Sequence, residues 1–327
     1  MKRSPFIRWL TAAAAGTLAL LAFVGLAGCT DRDGKQAKEE ALQALRQQAG
    51  LQSYTFEGRA TLQLGETFAI APGNPLTGAL IGSLATSTLG WTGTAAVSPP
   101  RLEAKLNIAP KAGAPLPEMP ILLKDNKLYL QIPYLNPKNE YLSMDVSRQA
   151  SGLAQSSQSF AKLAETLIQG IDAKWFKSEA PTSAESAAGV KAWYTVAFVD
   201  SNVKAISDAL QRSLTEGAAR LQDSGLLPAP QADALKASLS RKQVKVQPPG
   251  RIRLAVGPDG FVQELALDLS YVLEEAGQSG PVQSLQLTNK WGHRNETPVF
   301  TQDVPAQAKP LDQLLNLFGS PAKAPVK

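Results

Sequence analysis

"SYTFEGRATLQL", residues 53–64, changes character at every step. Its even positions are Tyr54, Phe56, Gly58, Ala60, Leu62 and Leu64, and its odd positions are Ser53, Thr55, Glu57, Arg59, Thr61 and Gln63. Side chains of an extended chain point alternately to opposite faces, so a period of two predicts a strand with one dry and one wet side. The pattern recurs in "RLEAKLNI", where Leu102, Ala104, Leu106 and Ile108 oppose Arg101, Glu103, Lys105 and Asn107. It returns around the turn "KDNK" in "ILLKDNKLYLQIP", and in "EYLSMDV", "VKAWYTVAFVD", "GRIRLAV", "FVQELALDLSYVL" and "PVQSLQLTNKW". Pro-Asp-Gly at 258–260 supplies turn chemistry between two of these runs. About ten such strands predict one large antiparallel sheet, a meander with one face in water.

Helical periodicity interrupts the strands. Leu153, Phe160, Leu163, Leu167 and Ile171 share one helical face. Val203, Ile206, Leu210, Leu214, Ala218 and Leu221 share another, after Asp200-Ser201 as a cap pair. "PQADALKASLS" reads as a shorter helix and "LDQLLNLF" as a last one. Each apolar stripe needs a sheet face to cover it. The fold expected is therefore α+β: a large curved antiparallel sheet with helices packed across its concave apolar face. No repeat or linker divides it, so residues 51–309 read as one domain, with 310–327 a short C-terminal helix and tail. The stretch from Thr67 to Trp91 carries almost no charge and reads either as a buried hairpin or as the lip of an apolar cavity.

The N-terminus has its own logic. Lys2, Arg3 and Arg8 precede the apolar run Leu10–Val24, the layout of a secretory signal. Leu26-Ala27-Gly28 is followed at once by Cys29, the sole cysteine of the chain. These four residues resemble the bacterial lipobox, in which the thiol is acylated and the chain is cut just before it. Residues 1–28 are then a lipoprotein signal peptide, and 29–50 an acylated tether and first helix. Two acyl chains on one residue anchor stably where one is marginal, so the expected address is the bacterial cell membrane, lipid-anchored on its extracytoplasmic face. The full chain has a net charge of +5, but the first 28 residues hold three of the positive charges, leaving a near-neutral remainder. That balance gives no electrostatic footprint for nucleic acid.

Catalytic signatures are missing. The sole histidine, His293, lies in the polar segment "KWGHRNETP" with no nucleophile or orienting carboxylate indicated beside it. Zinc needs several His or Cys ligands. Asp31 and Asp33 precede Gly34 as in a calcium loop, but the fifth and twelfth positions of that template are Lys35 and Leu42. No phosphate-binding glycine loop occurs. No catalytic residue, metal or cofactor is therefore assigned, and the chain is read as not an enzyme.

"NKLYLQIP" followed by "EYLSMDVS", together with "VKAWYTVAFVDSN" and "IRLAVGPDGFVQELALDLS", resembles the strand motifs of LolA/LolB-like carriers and LppX/LprG-type envelope lipoproteins. The resemblance implies a half-barrel that holds an acyl chain or another hydrophobic molecule between sheet and helices. Candidate lining residues are Phe56, Leu62, Trp91 and Leu102, with Leu106, Tyr129, Leu265 and Leu267. Covered by helices, a concave apolar face is a pocket if packing is incomplete and an ordinary core if it is complete. Two readings follow. The first is a membrane-anchored lipoprotein that binds or shuttles a lipid. The second is a non-enzymatic interaction lipoprotein with a solid core, binding an envelope or spore partner through a sheet edge or helical face.

Overall fold

The alternating stretch becomes β1 (Ser53–Gln63), the strand on which the two halves of the sheet meet. The structure is a computed structural model and describes residues 32–65, 85–111, 114–131, 140–147, 156–223 and 229–310. On one side of β1 stand β2 (Ser87–Ala96), β3 (Arg101–Pro110), β4 (Met119–Lys124), β5 (Lys127–Leu130) and β6 (Tyr141–Asp145), each antiparallel to the one before it. The C-terminal half contributes β7 (Phe176–Glu179), β8 (Ala192–Phe198), β9 (Lys242–Val256), β10 (Val262–Glu275), β11 (Gln278–Ser279) and β12 (Gln283–Gly292). β12 closes against the free side of β1. A last strand, β13 (Ala308–Pro310), lies parallel to β6. Among the described residues this makes a 13-stranded sheet. The expected single meander is thus two meanders joined by a pairing of residues far apart in sequence. Hydrophobic alternation encodes strands and faces, not which edges find each other.

Register fixes the inner face. Leu102 stands opposite Ala95 on β2 and Leu123 on β4, and Leu287 opposite Ala60 on β1 and Leu267 on β10. Helices cover this face. They are α1 (32–48), α2 (Ser156–Gln169), α4 (Val203–Asp223) and α5 (Ala229–Arg241), while the short α3 (Ser183–Ala187) follows β7. The main core joins Ala41 and Leu45 of α1, Ile168 of α2 and Ile206 of α4 to Leu254 and Leu265 of the sheet. The α+β half-barrel with helices on its apolar face is the fold the chain adopts.

Several local signals act as the sequence suggests. Asp125 and Asn126 take φ of 52° and 59°, the two left-handed residues of a type I′ hairpin turn between β4 and β5. Gly260 of the Pro-Asp-Gly turn also has positive φ, and the neighbouring Asp259 carbonyl accepts from Gln47 of α1 at 2.8 Å. Entry into α4 is shaped by Asn202, not by Asp200 and Ser201. Its fully buried side chain accepts from the Val199 amide and donates to the Ala197 carbonyl, both at short range. β7 and α3 were not expected, because four residues with a polar centre carry too little alternation to read as a strand. The signal segment, Cys29, Leu153, most of the stretch from Thr67 onward and the C-terminal helix lie outside the described residues.

Lys38 and Glu40 add to the polar contacts that pin helix α1. Lys38 Nζ donates to the carbonyls of Gln169 and Ile171, at 3.0 and 2.5 Å, and so caps the C-terminal end of α2. Burial pulls this amine below its ordinary pKa, partly offset by Asp172. Tyr194 Oη donates to Glu40 Oε2 at 2.5 Å; this bond, and a second from Gln36, hold the Glu40 carboxyl below the usual glutamate range. A carboxyl with depressed folded pKa stabilises above its unfolded value, near about 4.3, and loses that contribution as pH falls through the folded value. Protection factors of α1 amides should therefore drop as pH falls below about 4.3. Tyr194→Phe should lower them at neutral pH and flatten the acid dependence; hydrogen exchange across the acid range checks both.

The outer face is not simply wet. Residues 293–310 leave β12 and cross it. The Asn295 amide donates to the Ser53 carbonyl, and Asn295 Oδ1 accepts from the Gln52 amide. The buried carboxylate of Glu103 accepts from the amides of Thr301 and Gln302, and the Arg101 guanidinium lies 4.2 Å from the Phe300 ring centre. β13 then extends the sheet beyond β6. The strap thus holds the outward Arg101 and Glu103 of β3 and ends on β6, and between them the outward Leu122 and Tyr129 are buried, where the sequence had placed solvent.

Candidate functional site

The centre of the sheet carries an unusual arrangement of rings and glycines. In the β1–β2 register Phe56 faces Gly93, and Gly58 faces Trp91. A Cβ on Gly58 would stand 2.2 Å from Trp91 Cε2, and one on Gly93 would stand 2.5 Å from Phe56 Cζ. Each ring therefore lies flat across its neighbouring strand, in the space that the glycine leaves. Gly58 also pairs with Asn289 on β12. The Trp91 indole spans β1 completely, and its Nε1 donates to Asn289 Oδ1 at 2.8 Å. Trp291 stands beside Phe56 in the β1–β12 register.

Phe160 of α2 roofs this floor, its ring centre 5.8 Å from that of Trp291. Between roof and floor is a cavity of about 330 Å³, walled by Tyr54, Phe56, Trp91 and Phe160, with Leu287, Asn289 and Trp291. A second space of about 120 Å³ follows α2 between Leu163 and Leu167 above and Ile252, Leu254, Leu265 and Leu267 below. Phe160 and Leu287 wall both, so the two form one trough between α2 and the sheet. None of the lining residues is charged. Its chemistry is that of an apolar receptacle with one amide.

The roof is held from three sides. Ser213 of α4 donates to the Leu163 carbonyl at 3.0 Å, Arg46 of α1 pairs with Glu165 at 2.7 Å, and Gln158 reaches the Leu51 carbonyl. Behind it, α4 is stitched to β9: the Val246 amide donates to Ser207, and Gln211 accepts from the Val244 amide while donating to the Leu239 and Lys242 carbonyls. The helix face expected from Phe160, Leu163 and Leu167 is the one that looks into the trough.

Of the eight candidate lining residues, four stand in the trough wall and four do not. Phe56 and Trp91 wall the first space, and Leu265 and Leu267 the second. Leu62 shares their face of β1 but stands further along it, opposite Leu285 of β12 and outside both spaces. Leu102 packs between the main core and a small cluster of Leu123 and Val146. Leu106 faces Trp91 across β2 and Met119 across β4, on the same side but outside the trough wall. Tyr129 must be corrected: it pairs with Leu122 and Ser143, whereas Leu128 and Leu130 hold the inner positions, so its side chain belongs to the outer face. It is buried there, as is Leu122, on the strapped side of the sheet.

Phe160, Leu287, Asn289 and Trp291 were not singled out as lining residues. The alternation of "SLQLTNKW" already put the last three on one face; what was missing was the pairing of β12 with β1. His293 sits in an exposed turn with Nδ1 2.8 Å from Glu296 Oε2. Among the described residues no group of three His, Cys, Asp or Glu side chains is placed to hold a metal, and no helix is long and apolar enough to cross a membrane.

No family model matches the chain, and no curated protein matches it in sequence. Among solved structures it is similar to LprF from Mycobacterium bovis, at 11% identity and a TM-score of 0.37 over 83% of this chain and 97% of that one. It is also similar to a DUF1329 family protein from Desulfovibrio piger, at 9% identity and a TM-score of 0.21 over 83% and 95% of the two chains. The class is defined by the fold itself: a half-barrel sheet closed on one face by helices, with an apolar trough beneath one of them.

Proposed function

We propose that the chain is a non-enzymatic envelope lipoprotein, anchored through acyl groups on Cys29, that binds or shuttles a lipid or another hydrophobic molecule in the trough under α2. The observation that carries this reading is the uncharged space of about 330 Å³ beneath Phe160. It lies within the range of about 300–1,000 Å³ usual for small-molecule sites, and its mostly apolar lining is also typical of them. Each methylene moved from water into such a trough contributes about 0.8 kcal/mol, so affinity comes from burial and needs no reaction chemistry. The anchor reading rests on the order Leu26-Ala27-Gly28-Cys29 after an apolar run. It would keep the receptacle beside the membrane that supplies its cargo.

The experiment is native mass spectrometry, with organic extraction, of the chain purified from bacterial membranes. A stoichiometric lipid is expected, and the N-terminal peptide should carry a diacylglyceryl group on Cys29. A ligand-free chain would overturn the carrier reading, and a free thiol at Cys29 the anchor.

A further inference from the structure

We infer that one corner of the fold, where the first turn of α1 meets the segment between α2 and β7, docks on an anionic phospholipid surface, with Lys174 and Lys177 supplying the charge. This rests on the anchor reading and gives it a face. Arg32 already belongs to α1, and it stands three residues after Cys29. Three extended residues span about 11 Å at most. An acyl anchor on Cys29 therefore holds whatever surrounds the start of α1 to within about a Debye length, about 10 Å, of the lipid headgroups.

What surrounds it is set by a close backbone contact. A Cβ on Gly34 would stand 2.4 Å from the Ala173 carbonyl oxygen, so the first turn of α1 lies directly on the 3₁₀ turn Ala173–Trp175. Lys38 ties the same corner to the C-terminal end of α2. Asp172 caps the 3₁₀ turn by accepting from the Lys174 amide at 3.1 Å. Trp175 packs its half-buried ring against the core, with the Lys174 ammonium 5.2 Å from the ring centre. Lys177 follows on the edge strand β7. Arg32, Lys35, Lys174 and Lys177 are exposed here against two exposed acids, Asp33 and Asp172. The corner is thus cationic, although the chain beyond the signal segment is near neutral. A tryptophan body beside lysine ammoniums suits the boundary between acyl chains and headgroups. Each lysine brought to an anionic surface strengthens attachment about fivefold.

The test is hydrogen exchange of the full acylated chain on vesicles of palmitoyl-oleoyl phosphatidylglycerol and, separately, of palmitoyl-oleoyl phosphatidylcholine, with flotation to show attachment. Exchange across residues 172–178 should be at least about fivefold slower on phosphatidylglycerol. The turn at 257–261 is the internal control. It meets Gln47 at the other end of α1, about 25 Å away, and should exchange equally on both lipids. Lys174→Glu combined with Lys177→Glu alters two exposed side chains and should return residues 172–178 to their phosphatidylcholine rate. Unchanged exchange of the core strands in detergent shows that the variant is folded. Equal exchange on the two lipids, slowing spread evenly over the domain, or slowing that survives the double reversal would each overturn the inference and leave the anchor standing. A chain that floats with neither vesicle would overturn the anchor reading, and this inference with it.

Discussion

Gly58→Ala is expected to lose roughly 2–4 kcal/mol of stability and to weaken binding of a trough ligand at least about tenfold, although it adds a single methyl group. The Cβ would meet Cε2, Nε1 and Cζ2 of Trp91 at 2.2, 2.3 and 2.4 Å, and no real Cβ tolerates three such contacts. Neither strand can retreat, because β1 is hydrogen-bonded on both sides, to β2 and β12. The indole must swing off its place. That breaks its bond to Asn289 and moves an indole of the cavity wall into the cavity. Urea unfolding gives the first quantity and titration with a brominated acylglycerol, read by tryptophan quenching, the second. Trp91→Ala in the Gly58→Ala background removes the clashing ring, so the double variant should be more stable than the sum of the two single losses. Additive losses, or a Gly58→Ala chain with unaltered stability, would show that the ring does not depend on the glycine.

This dependence shows how far the sequence could be read. Alternation put Phe56, Gly58, Leu265 and Leu267 on inward faces, and those faces are where they stand. Glycine in a strand signals a close approach, but the partner that approaches Gly58 became identifiable only when β2 and β12 took their places on either side of it. Tyr129 shows the complementary failure. In β4 and β5 both faces are buried, so the adjacent Leu122 and Leu123 are both fully enclosed and alternation no longer says which side is the interior. The strap that crosses this outer face from β3 to β6 is an irregular segment that no periodicity announces. Phe160 was legible as part of a helical stripe, yet its role as a roof depends on where α2 crosses the sheet, which contacts from α1 and α4 decide.

Glu103→Ala is the test of that strap, with an expected loss of about 3 kcal/mol, toward the lower end of what breaking a buried ion pair costs because Arg101 is a quarter exposed. Glu103 sits on the outer face of β3 with its side chain only 8% exposed, and one carboxylate accepts from three residues, Thr301 adding its hydroxyl at 3.4 Å. Thr301 and Gln302 give their backbone amides at 2.8 and 3.1 Å, and Arg101 its guanidinium at 2.9 Å. Removing it orphans two amides and leaves Arg101 with the Gln302 carbonyl and the Phe300 ring. The strap cannot then stay seated, and β13, which reaches β6 only through it, should detach as well. Hydrogen exchange should accelerate across residues 299–310 and along the edge strand β6, while α2 and the trough wall keep their protection. Glu103→Gln retains shape and one acceptor oxygen but loses the charge, so it should fall between the two. Faster exchange spread evenly over the sheet would mean that Glu103 supports the whole fold; unchanged exchange in the strap would mean that β13 and the Asn295 contacts hold it without help from the carboxylate.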